Sequence, residues 1–280
     1  MTALVQRELQ AWRAALRLRF EARGPATVLA MREHDGPLVV QKALYPEAPQ
    51  VCHAIVVHPP AGIAGGDALS IDVALEAGAH ALVTTPGAAK WYRSNGRPAS
   101  QEATFRVAAG ASLEWLPQES IVFDGAVSRQ SWRAELAGDA RLVAWDIQCL
   151  GRTGSGETFG HGELRLEARI ARDGRLAWIE RGCIRAPMRA LHSPAGLAAQ
   201  PVFGTLAVAA PVIEDAWISQ ARAHQPREGE GAVTRLPGVL LVRYRGDASE
   251  AAREYFHAVW SSLRPAVLGR PAIVPRIWRT

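Results

Sequence analysis

The stretch LEAGAHAL, Leu75 to Leu82, sets a pattern that returns as VAAGASL from Val107 to Leu113 and LAGDARL from Leu136 to Leu142, with an echo in ARDGRL from Ala171 to Leu176. Each copy reads as an apolar residue, a turn glycine, a small residue and the start of a new apolar strand. The glycines Gly78, Gly110, Gly138 and Gly174 follow one another at intervals of 32, 28 and 36 residues. Glycine supplies the positive φ that a tight turn requires. The spacing therefore fits stacked rungs of a solenoid-like β structure, and it fits hairpin turns of a β-sandwich as well. The unequal intervals argue against a strictly regular solenoid.

Around these turns, apolar and polar residues alternate with the period of a half-buried strand. The pattern runs through Trp12, Ala14, Leu16, Leu18 and Phe20, through Leu69, Ile71, Val73 and Leu75, and through Leu164, Leu166, Ala168 and Ile170. Phe105 with Val107, Leu113 with Trp115, and Trp132 with Ala134 and Leu136 continue it. The expected class is mainly β. Helix appears late: Asp247 and Glu250 read as a capping pair, after which Ala252, Tyr255, Phe256, Val259, Trp260 and Leu263 recur at helical spacing until Pro265. A second, weaker helix is expected around Val212 to Ala221. The polar stretch from Ala223 to Gly231 reads as a loop.

Composition narrows the function classes. A chain of 280 residues, 48% hydrophobic, has ample material for a core. No linker argues for separate domains, so one domain over 1–280 is expected, with residues 1–11 as a flexible extension. Three cysteines, Cys52, Cys149 and Cys183, leave no even disulfide framework and no C-x-x-C pair. Arg7, Glu8, Arg13, Arg17 and Arg19 interrupt the first twenty positions and no long apolar run follows, which predicts a cytoplasmic protein without signal peptide or membrane span. The net charge of +5 comes from arginines spread along the chain, with Lys42 and Lys90 the only lysines. That distribution, without nucleic-acid-binding signatures, points to an acidic protein partner instead of DNA or RNA.

Four segments carry the chemistry-bearing residues. HPPAGIAGGD, His58 to Asp67, lacks the Lys-Ser/Thr of a P-loop and the spacing of a dinucleotide fold; its glycines suit a tight turn, leaving His58 and Asp67 as candidates. TTPGAAKWYRS, Thr84 to Ser94, sets Lys90 beside Trp91 and Tyr92, without a nearby general base for Schiff-base chemistry. SLEWLPQESIVFDGA, Ser112 to Ala126, brings Glu114, Glu119 and Asp124 together, and paired carboxylates of that kind would suit a β-solenoid carbohydrate-active enzyme. LVAWDIQCLGRTGSGETFGHGEL, Leu142 to Leu164, holds Asp146, Cys149, Glu157 and His161, metal-ligand types at no standard spacing. Nowhere do a nucleophile, a base and an orienting group converge in one motif, so no catalytic residue is assigned.

Taken in this order, the four segments and the C-terminal LRPAVLGRPAIVPRIWRT, Leu263 to Thr280, closely resemble the UreD (UreH) urease accessory family from Trp12 onward. The sequence departs from the family pattern at Ala61, where a further glycine is usual, and around VRYRG, Val242 to Gly246. The resemblance implies a β-helix-like stack of strands with about two α-helices. It further implies a non-catalytic nickel-insertion chaperone, acting with UreF and the GTPase UreG on apo-urease and containing an internal path for the ion to a dinuclear centre. No permanently bound cofactor is expected, only transient nickel. Scattered carboxylates admit and release a divalent cation more readily than a closed cage does. The passage candidates are accordingly Asp67, Asp146 and Glu157, with His58 and Lys90 near them. Asp146 leads because it interrupts the apolar strand Leu142 to Ile147. Trp260, Arg264, Arg276 and Trp278 are candidates for partner binding or for supporting the surface that does it, being residue types enriched at interface hot spots.

Overall fold

The structure, a computed structural model, describes residues 11–279; the expected N-terminal extension falls almost wholly outside them. Two sheets face each other. The first contains β1 (Arg13–Arg23), β2 (Ala26–Asp35), β5 (Ala68–Leu75), β8 (Ala99–Val107), β11 (Val127–Leu136), β13 (Gly162–Arg172) and β14 (Arg175–Ala186), in the order β14-β13-β11-β8-β5-β1-β2. The second is built on β3 (Val39–Leu44), β4 (Cys52–Val57), β6 (His80–Thr84), β9 (Ser112–Leu116), β12 (Arg141–Leu150), β15 (Val202–Ala209), β16 (Glu230–Leu236) and β17 (Val239–Gly246), in the order β16-β17-β15-β12-β9-β6-β4-β3. Two short strands, β7 (Ala89–Trp91) and β10 (Ser120–Val122), pair with each other, and β10 also pairs with β12.

The middle of each sheet is parallel: β1, β5, β8, β11 and β13 in the first, β4, β6, β9 and β12 in the second. The chain climbs a strand of one sheet and descends in the other, as in a β-helix. The glycine turns do the crossing. Gly78 leads from β5 into β6, Gly110 from β8 into β9 and Gly138 from β11 into β12, with φ of 73°, 72° and 53°. Each is closed by the same bond, Ala79 N–H to Glu76, Ala111 N–H to Ala108 and Ala140 N–H to Ala137, all 3.0 Å. They also stack: Asp139 accepts from Gly110 N–H at 2.6 Å and Asp173 from Gly138 N–H at 2.8 Å. Both readings of the repeat thus have a place. Three copies are solenoid rungs, and the fourth, at Gly174, is the β13–β14 hairpin within the first sheet.

Helices α2 (Asp215–Arg222) and α3 (Ser249–Leu268) cover the outer face of the second sheet, while α1 (Arg189–His192) is a single turn. Trp217, Phe256, Val259, Trp260 and Leu263 form a second apolar core with Trp145, Ile147, Leu206 and Val242 of the sheet. Three details differ from expectation. The stretch Ala223 to Gly231, expected as a loop, ends in strand, since β16 begins at Glu230. The N-cap of α3 is Ala248 without a side-chain cap, so Asp247 and Glu250 do not form a capping pair. The helix also runs three residues past Pro265 to a left-handed Gly269. Proline removes one backbone bond near the end of the helix, and burial of Val267 and Leu268 against the second core holds the last turn in place. Cys52, Cys149 and Cys183 are free thiols, the first two buried. Among the described residues no helix is long and apolar enough to cross a membrane.

Candidate functional site

Strand periodicity decides what lies between the sheets. Along β12, Val143, Trp145, Ile147 and Cys149 join the core under the helices, whereas Leu142, Ala144 and Leu150 join the core between the sheets. Asp146 and Gln148 share the parity of the second set. They therefore point inward. Arg243 and Arg245 stand in the same relation to Val239 and Leu241 on β17, as does Glu180 to Trp178 on β14.

Strand register then aligns these interruptions. Across the second sheet Asp146 pairs with Thr205 and Thr205 with Arg243, and across the first Ala103 pairs with Trp132, Trp132 with Ala168 and Ala168 with Glu180. The two rows meet across the gap. Trp132 donates its indole N–H to Asp146 at 3.1 Å, and Arg243 donates to Glu180 at 2.7 Å and to Thr205 at 3.3 Å. In the neighbouring rows Gln148 donates to Gln130 at 3.0 Å. Ala103, Ala168, Gly182 and Thr205 are too small to fill the space beside these groups. The result is a cavity of about 930 Å³ between the sheets. At the opposite end of the same strands, Phe20, Leu75, Val107 and Leu136 pack the interior solid.

The cavity contains polar atoms with no partner. His58 Nε2, Gln130 Nε2, Gln148 Oε1 and Glu180 Oε2 are all buried, unbonded and on lining residues, an arrangement that costs free energy unless water or an ion completes it. Burial pushes the Asp146 carboxyl up to about 6; the Trp132 hydrogen bond and Arg243 oppose this, and Glu180 adds to it. Burial pushes the His58 imidazole down, against the pull of Asp67.

Three of the five passage candidates, Asp146, His58 and Lys90, line this cavity, with Lys90 exposed. Asp67 does not line it: its two oxygens accept the backbone N–H groups of Trp12 and Ala64, each at 2.8 Å, which makes it the clasp of the glycine turn. Nor does Glu157, whose carboxylate is held by Arg152 at 3.0 Å and brought below its usual range by that bond. Glu180, Arg243, Gln130 and Gln148 escaped sequence reading. Their signal is the one that marks Asp146, a polar residue at an inward strand position, but sequence does not delineate β14 and β17, and Gln130 and Gln148 lie just outside the alternating runs read for β11 and β12.

The C-terminal candidates divide in the same manner. Arg264 is fully buried. It donates to Glu114 at 2.8 and 2.9 Å and to Glu47 at 2.6 and 2.8 Å, while His80 and His53 contact the same two carboxylates at 2.8 and 2.6 Å. Trp260 is buried as well, its indole N–H on Glu114 at 2.7 Å. Both residues therefore hold α3 to the sheet from within and present no surface of their own. Trp278 is half-buried, bonded to Thr84 at 2.8 Å and stacked among Trp145, Trp260 and His257; Arg276 is exposed.

Comparison with known sequences bears directly on this architecture. Residues 13–279 match the family model described as UreD urease accessory protein. The chain is 54% identical to the urease accessory protein UreD of Azoarcus sp. (strain BH72), over 96% of its length and 94% of the relative's. It is 51% identical to UreD of Dechloromonas aromatica and 50% identical to that of Pseudomonas aeruginosa, with 95% and 96% of those chains covered. The chain belongs to the UreD urease accessory protein family. In this UreD chain Ala61 of the HPPAGIAGGD turn adopts a left-handed φ of 60°. The three carboxylates that suited a carbohydrate-active enzyme are spent separately. Glu114 sits in the Arg264 cluster, Glu119 pairs with Arg253 at 2.6 Å, and Asp124 accepts the N–H groups of Gly160 and His161 at 2.9 and 2.8 Å. None of the three lines the cavity between the sheets.

Proposed function

We propose that this chain is a non-catalytic maturation scaffold that passes nickel to apo-urease, working in the cytoplasm with UreF and the GTPase UreG. The observation that carries the reading is the Asp146 row: an acidic residue on a parallel strand of the second sheet, facing a cavity in which His58 Nε2, Gln130 Nε2, Gln148 Oε1 and Glu180 Oε2 lack partners. A carboxylate in an apolar interior is expensive unless paired or solvated, and Asp146 forms no ion pair within bonding distance among the described residues. A divalent cation entering the cavity would meet oxygen and imidazole groups already short of partners. Among the described residues no three His, Cys, Asp or Glu side chains stand together as a metal-holding group, and such an open arrangement favours transit over storage.

In this reading nickel is cargo and no cofactor stays bound. Asp146 and His58 lie along the route, Lys90 stands at its exposed edge, and Arg276 with Trp278 is the accessible part of a UreF-binding surface that Trp260 and Arg264 support from below. The deciding experiment replaces Asp146 by Asn, which keeps shape and removes charge. The variant is expected to assemble with UreF and UreG on apo-urease yet leave the enzyme short of nickel, as measured by metal analysis of the matured urease. Full nickel content in urease matured by Asp146→Asn rejects the proposal.

A further inference from the structure

The VRYRG segment, Val242 to Gly246, supplies a cation to the cavity at the same row as Asp146. Arg243 reaches from β17 of the second sheet to Glu180 on β14 of the first, and it is the ion pair among the described residues that spans the cavity at this row. Its hold is one-sided. Arg243 occupies Oε1 of Glu180 at 2.7 Å, whereas Oε2 is buried without a partner. The Asp146 carboxylate takes a neutral indole donor and no cation.

We infer that Arg243 is a displaceable counter-ion that sets how tightly the cavity holds a divalent cation, occupying Glu180 while the passage is empty and yielding it when cargo arrives. This rests on the passage reading above and adds a residue that governs release. Three physical points support it. First, the Arg243 side chain is 41% exposed and that of Glu180 35%, and pairs with that much solvent contact are weak enough to be exchanged. Second, by Coulomb's law a doubly charged ion gains more from two carboxylates than a single guanidinium does. Third, a fixed positive charge beside the row lowers the affinity of the cavity for any cation. A passage that must give up its ion needs such a term, and without one Asp146 and Glu180 together would form a trap.

The test is calorimetric titration of the purified full chain with Ni²⁺. Arg243→Met keeps the length of the side chain and removes its charge, and it is expected to bind Ni²⁺ at least tenfold more tightly than the parent chain. Adding Glu180→Gln to it should abolish that gain. If the Met variant does not fold, Arg243→Gln, which retains a donor toward Glu180, carries the same expectation. Unchanged affinity, or a gain that survives Glu180→Gln, overturns the inference. Failure here is distinguishable from failure of the passage reading. The latter is decided by the nickel content of urease matured with Asp146→Asn, and that experiment leaves Arg243 untouched.

Discussion

Replacing Arg264 by Met tests the claim that this residue acts from within the fold. The guanidinium is fully buried between Glu114, itself fully buried, and Glu47, whose side chain is 5% exposed. Burial drives the Glu114 carboxyl up, yet the bonds from His80 and Arg264 outweigh it and bring the pKa down to about 2; Glu47 is lowered for the same reasons, through His53 and Arg264. A fall from 4.5 to about 2 corresponds to about 3 kcal/mol of stabilisation. Removing one member of a buried ion cluster costs about 3–5 kcal/mol, because the remaining charge is left uncompensated. The pKa figure is shared between His80 and Arg264 and so bounds the part that passes through Glu114, while loss of the cluster's central cation amounts to about a third of a typical stability, or about 10 °C in Tm for a chain of this size. Since the folded pKa is depressed, the stabilisation from Glu114 is complete above pH 4.5 and disappears as pH falls toward 2. In Arg264→Met the two carboxylates can instead take up protons in acid, so the deficit against the parent should be largest at pH 7 and smaller at pH 4. Urea unfolding followed by tryptophan fluorescence at both pH values measures this. A loss under about 1 kcal/mol at pH 7, or a deficit that grows in acid, would refute the buried-clamp reasoning.

Other expectations follow from single positions. Ala61→Gly relieves a left-handed alanine and should stabilise the chain by about 0.5–1 kcal/mol, read as a rise in the urea midpoint. Gly204→Ala places a methyl group 2.6 Å from the Asp146 carbonyl oxygen and 3.0 Å from the Phe256 ring, so it should push α3 from the sheet and cost about 2 kcal/mol or more in chemical unfolding. Asp146→Asn should stabilise the isolated chain at pH 7 by about 1–3 kcal/mol. The native carboxyl, raised to about 6, favours folding below pH 3.8 and loses that advantage as pH rises through 6, so the gain should vanish near pH 4 in a pH series of melting curves.

How much of this was legible in sequence follows from what strand periodicity can and cannot carry. The rungs were visible because Gly78, Gly110 and Gly138 recur with the same flanking residues, and a left-handed turn leaves few alternatives to glycine. Asp146 was visible because a charge inside LVAWDI breaks an otherwise apolar run. Glu180 and Arg243 were not, although they occupy the same rows: on β14 the outward Arg181 and Arg185 follow Glu180 closely, and on β17 Arg243 and Arg245 alternate with Val242 and Tyr244 as an ordinary half-buried strand would, so an inward charge does not stand out. Only register identifies them: Asp146, Thr205 and Arg243 become neighbours through pairings between segments about 60 and 40 residues apart. The same limit misplaced Arg264. Arginine near a helix end reads as surface, and its burial depends on Glu47 and Glu114, which lie 217 and 150 residues away in the chain. Burying one arginine is tolerable here because two carboxylates and two imidazoles were assembled around it from β4, β6, β9 and the segment before β4. Asp146 has no such company. A chain that neutralises one inward charge so fully and leaves another facing an open cavity has kept the second at a cost in stability, and that contrast is the strongest physical reason to assign it a task.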